Sequence, residues 1–256
     1  MLKKLLLACA LLLGLSLSSV NAAPAHIVMM IGEDEYHTWE TLPAYAGSDL
    51  KATGYRVTIV HADAKDKNNF PGIEAALRDA DLLFVSVRRR TPVKEQLDAV
   101  RAYLASGKPL VGIRTASHAF ALARNAKALT DPKLAIWQDF DPEVLGGRYT
   151  NHHKAGIICT ATTAPGAAKH PILRGVNVAN LTSPRSLYKV SPLVNGTVPL
   201  VIGTIPNESA EPIAWTHLYG AKKGRIFYTS MGDPDDFKQA DFRRLLGNSI
   251  AWALGK

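Results

Sequence analysis

The stretch that decides the fold is Lys108 to Phe120, KPLVGIRTASHAF. The apolar run Leu110-Val111-Gly112-Ile113 stops abruptly at Arg114, and Thr115, Ala116 and Ser117 lead into the helix-compatible HAFALARNAKAL. A continuous apolar run reads as a strand covered on both faces, the kind found in parallel sheets. The small residues after it permit a sharp turn, and Ser117 suits a helix N-cap. Whatever sits at that turn is held at the carboxyl end of a central strand, where open α/β sheets bind ligands. Its occupants are Arg114, Ser117 and His118.

Outward from this stretch, strand-like and helix-like segments alternate through the first half. His26 to Ile31, Tyr55 to His61, Asp81 to Val87 and Pro109 to Ile113 read as strands; Pro43 to Ala52, Ile73 to Arg78 and Val93 to Ala105 read as helices. Such alternation implies βαβ units and a parallel sheet wrapped by helices. Gly54 and Gly107 fall where helix C-caps are expected. After the helix expected from His118 the pattern breaks: Asp139 to Lys154 is polar and Gly-rich, and four apolar runs follow, Ile157 to Thr162, Val198 to Ile205, Ile213 to Leu218 and Arg225 to Ser230. They predict a partly antiparallel extension of the sheet, closed by a helix over Phe242 to Leu254.

Lys3 and Lys4, the apolar run Leu5 to Leu17 and the ending Val20-Asn21-Ala22 predict a signal peptide over residues 1–22, cleaved after Ala22. The run is too short for a membrane span, which takes roughly 18 residues or more. Residues 23–256 are then expected to form one domain in the periplasm or outside the cell. Without Lys3 and Lys4 the formal charge falls from +8 to +6. The basic residues are dispersed apart from Arg88-Arg89-Arg90, with no stripe suited to nucleic acid. Cys159 is the one cysteine beyond the signal, and its apolar context marks it as a buried thiol.

A parallel sheet gathers the residues at its strand ends. Glu33, Glu35 and His37 follow the first strand, Arg88 and Arg89 the third, Arg114, Ser117 and His118 the fourth, and Asp233 the last. Each alone reads as a solvated or structural group; together they make a crevice suited to acid-base chemistry or a polar ligand. Strand-end polar residues are expected to contribute little to the core. His152 and His153, with His118 and the acids, raise a metal-dependent hydrolase using His118 and His152 as an alternative, but neighbours on an extended segment point oppositely and no His-x-x-x-His or Cys pair provides a chelate. No metal site is therefore assigned, and no cofactor motif stands out. A serine hydrolase fits poorly, since the elbow carries Arg114 and the sequence is not Gly-x-Ser-x-Gly.

GIRTASHAF, GEDEY at Gly32 to Tyr36, VSVRRRTP at Val85 to Pro92, LGGRYTNHH at Leu145 to His153, HPILRGV at His170 to Val176, SLYKVSPL at Ser186 to Leu193 and EPIAWTHLYGAKKGRIFYTSMGDPDDF at Glu211 to Phe237 together resemble the ThuA-like family, named for trehalose utilisation. The resemblance covers nearly all of residues 23–256. It implies an α/β, flavodoxin-like three-layer sandwich with a mainly parallel sheet, shared with class I glutamine amidotransferases. In those enzymes the elbow residue is a nucleophilic cysteine; here it is Arg114, which stays protonated, so glutaminase chemistry does not carry over. Many relatives have histidine at the elbow and Gly-His-Pro after the last strand, where this chain has Arg114 and Gly232-Asp233-Pro234.

The resemblance further implies work on sugars, either disaccharides and other glycosides or their 3-keto derivatives. On that reading Arg114, His118, His152 and Asp233 are the candidate catalytic residues, with Glu33, Glu35, His37, Arg88, Arg89 and Ser117 as candidate substrate-binding residues. The expected partner is a small-molecule sugar ligand, not nucleic acid and, once the signal is removed, not a membrane; the sequence leaves the oligomeric state open. A non-catalytic sugar-binding or accessory protein on the same fold is the other alternative.

Overall fold

The structure, a computed structural model, describes residues 23–256; the expected signal peptide lies outside the described residues. In chain order the strands are β1 (His26–Gly32), β2 (Arg56–His61), β3 (Leu82–Val87), β4 (Leu110–Ile113), β5 (Asn151–His152), β6 (Cys159–Thr163), β7 (Thr182–Ser183), β8 (Tyr188–Lys189), β9 (Val198–Thr204), β10 (Glu211–Tyr219) and β11 (Gly224–Thr229). The α-helices are α1 (Thr38–Tyr45), α2 (Ile73–Arg78), α3 (Lys94–Ala105), α4 (Pro234–Lys238) and α5 (Ala240–Ala253).

Nine strands form one sheet in the order β2-β1-β3-β4-β11-β10-β9-β6-β7. From β2 to β11 every pairing is parallel; from β11 to β7 every pairing is antiparallel. The α/β sandwich with a mainly parallel core and an antiparallel wing is therefore as the residue pattern predicts. β5 and β8 pair separately as a short ribbon.

Alternation along β1 shows how the layers form. Ile27, Met29 and Ile31 point to the face covered by Leu42 and Tyr45 of α1 and by Phe242, Leu245, Leu246 and Ile250 of α5. Val28 and Met30 point to the opposite face, covered by Ile73 and Leu77 of α2 and Leu97, Val100 and Leu104 of α3. Both sets are buried, so β1 must be apolar throughout. Each side chain so buried stabilises the fold by about 1.5–3 kcal/mol before chain entropy is counted.

Two local expectations are corrected. The segment after Ser117 is not an α-helix: a 3-10 turn spans Arg114–His118 and the chain then leaves helical geometry. Its backbone turns instead to residues 134–140, with Trp137 N–H donating to Phe120 O at 2.9 Å and Gln138 Oε1 accepting from Leu122 N–H at 3.0 Å. Those bonds replace the i to i−4 ladder. The first helix begins at Thr38 rather than Pro43, because the Glu33 carboxylate accepts from Thr38 N–H at 2.7 Å and fixes the helix entry.

Candidate functional site

Three adjacent parallel strands end in the same unusual way. His37 after β1, Arg89 after β3 and Arg114 after β4 have φ of 51°, 48° and 46°, the left-handed region that side chains other than glycine seldom adopt. Each such residue costs of order 1 kcal/mol or more, and such residues cluster at functional sites. Thr115, Ala116 and Ser117, all buried, let the turn after Arg114 close, and Gly112 lies where a Cβ would be 3.2 Å from that of Ala116.

Arg114 itself is 2% exposed. One guanidinium nitrogen donates to Ser186 O at 3.2 Å and Ser230 O at 2.7 Å; the other donates to Tyr36 Oη at 3.2 Å and Ser186 Oγ at 3.3 Å. The Tyr36 and Tyr188 rings sandwich it, 4.5 and 4.4 Å from the guanidinium carbon. No carboxylate pairs with it among the described residues. The cation ties the ends of β4 and β11 to the segment before β8 and to the loop after β1. The expectation that strand-end polar residues contribute little to the core does not hold for Arg114, because its head group is enclosed and nearly fully bonded.

Beyond the tyrosines lies a cleft of about 340 Å³ lined by Arg89, Ser117, His118, Asp141, Arg148 and Tyr149, with Arg124 and Gln138 at its side. His118 is buried, its Nδ1 3.0 Å from Ser117 Oγ, and its ring stacks on Tyr149. Burial, reinforced by Arg89, Arg88 and Arg114, pushes its pKa down to about 3. The imidazole is therefore neutral at ordinary pH. Burial also pulls the Arg89 guanidinium below its usual value, with Arg88 and Arg124 adding to the effect.

Asp141 escaped the reading of the sequence. It opens a short π-helical turn, Asp141–Leu145, and is 5% exposed. Its Oδ2 accepts from Tyr149 N–H at 2.6 Å, while its Oδ1 has no hydrogen-bond partner among the described residues. A Cβ on Gly147 would lie 2.3 Å from that oxygen, so the chain passes over the carboxylate only as glycine. Burial pushes the carboxyl up to about 7. The signal in the sequence was an acid followed within a few residues by Gly146-Gly147 in the polar stretch 139–154.

The other sequence candidates separate. Ser117, His118 and Arg89 line the cleft. His152 is exposed on β5, opposite Tyr188 on β8, and adds to the charge felt by His118; its neighbour His153 faces inward, 3.1 Å from Glu208. Arg88 pairs with Glu35 at 2.8 Å. The exposed His37 ring lies against Trp39, centres 4.7 Å apart. Glu33 is buried and organises the loop after β1, accepting from Glu35, Tyr36 and Thr38 N–H and from Thr38 Oγ1. Asp233 is buried as the N-cap of α4, in a capping box with Asp236, and is ion-paired to Arg185. Cys159 is a buried free thiol whose pKa burial raises to about 11. Among the described residues no three His, Cys, Asp or Glu side chains stand together as a metal-ligand set.

The sequence matches the ThuA family, described by trehalose utilisation, over residues 33–253. The chain belongs to that family. The ThuA-family match spans every strand end described above from Glu33 onward. Among solved structures, the chain is similar to a ThuA-like protein from Bacteroides uniformis, with TM-score 0.63 and 16% identity over 91% of this chain and 92% of that one. It is similar also to a ThuA-like protein from Parabacteroides merdae, with TM-score 0.59 and 17% identity over 91% of each chain. At these identities the likeness speaks for the ThuA-like fold alone. No curated protein matches the sequence.

Proposed function

We propose that this ThuA-family chain is an exported carbohydrate-active enzyme whose substrate, a glycoside, a disaccharide or a 3-keto derivative of one, binds in the cleft beside His118. The observation that carries this reading is the cleft itself: at the carboxyl end of β3 and β4 it combines a neutral imidazole, a carboxyl poised near neutrality, a guanidinium and an aromatic face. Polar groups around an aromatic wall suit a hydroxyl-rich ring.

The 3-keto sugar is the substrate that such groups serve best. A carbonyl at C3 acidifies the C2–H. Removal of that proton expels the glycosidic oxygen from C1 and leaves a C1–C2 double bond conjugated to the carbonyl. The departing oxygen takes a proton, which protonated Asp141 supplies. The C2 proton leaves to water in the open cleft, to which the uncharged His118, held by Ser117, offers a hydrogen-bond acceptor, and Arg89 is placed to polarise the carbonyl oxygen. Arg114 acts as a positioning residue behind Tyr188 and Tyr149, and Asp233 as a helix cap. This differs from paired-carboxylate glycosidases, in which two carboxyl groups flank the scissile bond.

Glutaminase activity is not part of the proposal, since Arg114 holds the elbow and the thiol of Cys159 is buried and weakly acidic. Cleavage after Ala22 is checked by N-terminal sequencing of exported protein; an intact Met1 would contradict cleavage. The activity is tested by turnover on a panel of glycosides and 3-keto glycosides. Binding without turnover would favour the non-catalytic sugar-binding alternative.

A further inference from the structure

We propose that the cleft selects an anionic sugar, one carrying a carboxylate or a phosphate, with Arg124 and Arg148 receiving the negative group and Arg89 adding its positive charge beside them; this rests on the sugar reading above. Outside the cleft, Arg56, Arg88, Arg90, Arg101, Arg185 and Arg243 each pair with an acid, whereas Arg78, Arg174, Arg225 and Arg244 are exposed and without an acid partner among the described residues, and Arg114 is enclosed by its tyrosines. The three that line the cleft take no such partner among the described residues. Arg89 donates to Leu122 O at 3.1 Å and Arg124 to Thr150 O at 2.6 Å, contacts that fix a guanidinium in place without cancelling its charge. Arg148 is exposed and makes no side-chain hydrogen bond among the described residues, leaving its planar fork free.

Two acids share the cleft, Asp139 and Asp141. Three guanidinium groups thus face at most two carboxylates, and burial favours the protonated form of Asp141. Arg89 is strained in backbone as well, and its amide donates to His118 O at 3.0 Å, which ties the ends of β3 and β4 together at the cleft. A neutral sugar would leave this excess positive charge unmatched. A carboxylate or phosphate would pair with it in the bidentate manner to which guanidinium is suited.

The test is calorimetric titration of the whole protein with methyl β-glucuronide, glucose 6-phosphate, inorganic phosphate and methyl β-glucoside, at low and high salt. One of the two charged sugars is expected to bind at least about 10-fold more tightly than the glucoside, with the margin shrinking as salt rises. Which of the two does so identifies carboxylate or phosphate as the group. Arg124→Gln combined with Arg148→Gln is expected to reduce that ligand to the affinity of the glucoside, with an unchanged melting temperature to show that the fold is intact. Glucoside binding as tight as both charged sugars overturns the charge inference and leaves the sugar reading standing. Inorganic phosphate binding as tightly as the sugar phosphate overturns the claim that the anion is a sugar. Failure of every ligand overturns both.

Discussion

Tyr149 lies against His118 with ring centres 4.7 Å apart and planes 29° from parallel. The phenol covers the imidazole, and with burial and the guanidinium groups of Arg89, Arg88 and Arg114 it keeps the ring uncharged. In the unfolded chain a histidine takes a proton near pH 6.5, whereas in the folded protein it does so near pH 3. Between those values the unfolded state binds the extra proton, so this group withdraws stability as pH falls through that window and contributes no pH dependence above it. NMR titration is expected to find no protonation of His118 between pH 5 and 8. Tyr149→Ala, which uncovers the ring, is expected to raise its pKa toward the ordinary value, and an unchanged pKa in that variant would remove Tyr149 from the account.

Asp141 gives the opposite sign. Its carboxyl titrates near 7 in the fold and near 4 unfolded, so from pH 4 to 7 the folded state holds the extra proton and stability falls as pH rises through that range. Asp141→Asn is expected to flatten this dependence, and denaturant melts at pH 5 and pH 8 compare the two proteins. If Asp141 supplies a proton in catalysis, wild-type turnover declines above pH 7. The variant loses turnover by at least about 10²-fold, because an amide cannot give up a proton in its place.

The central parallel strands were legible in sequence because β1, β3 and β4 are buried on both faces, which forces runs such as Ile27 to Ile31 and Leu82 to Val85 to be apolar without interruption. The elbow was legible for the same reason: an apolar strand that ends in Arg114 and three small residues has to turn. The depth of Arg114 was not. Its sandwich depends on Tyr36 and Tyr188, 78 and 74 positions away, and on carbonyls of Ser186 and Ser230 that carry no signature of their own. Asp141 was illegible because Asp-Pro-Glu reads as a solvated turn; its burial comes from the return of the chain at Gly147 and Tyr149. Asp233 was placed correctly at a strand end, and only the three-residue proximity of Asp236 hinted that it caps a helix.

Arg114→Met retains bulk and removes the charge. The carbonyls of Ser186 and Ser230 lose their donor, and each buried acceptor left unpaired costs about 1–3 kcal/mol. The variant is expected to be less stable by roughly 3 kcal/mol, read as a shift in urea midpoint, which separates a positioning role from a direct one. Stability equal to wild type would show that the guanidinium is not the tie that its contacts describe.

Asp233→Asn preserves N-cap geometry but not the ion pair to Arg185. Asparagine caps helices about as well as aspartate, so stability is expected to change by less than about 1 kcal/mol and turnover by only a few-fold, whereas Asp233→Ala loses the cap at a cost of about 1 kcal/mol. A loss of turnover near 10²-fold in a stable Asp233→Asn protein would return Asp233 to the chemistry.

The central claim, that the cleft at the ends of β3 and β4 processes a sugar, is tested most directly by turnover of 3-keto glycosides and their unoxidised parents with wild type and His118→Gln. The account predicts release of the leaving alcohol by wild type, faster from the 3-keto compound, and a fall of at least about 10²-fold in the variant with folding unchanged. Turnover at the wild-type rate in His118→Gln, or no turnover of any sugar by the wild type, would contradict it.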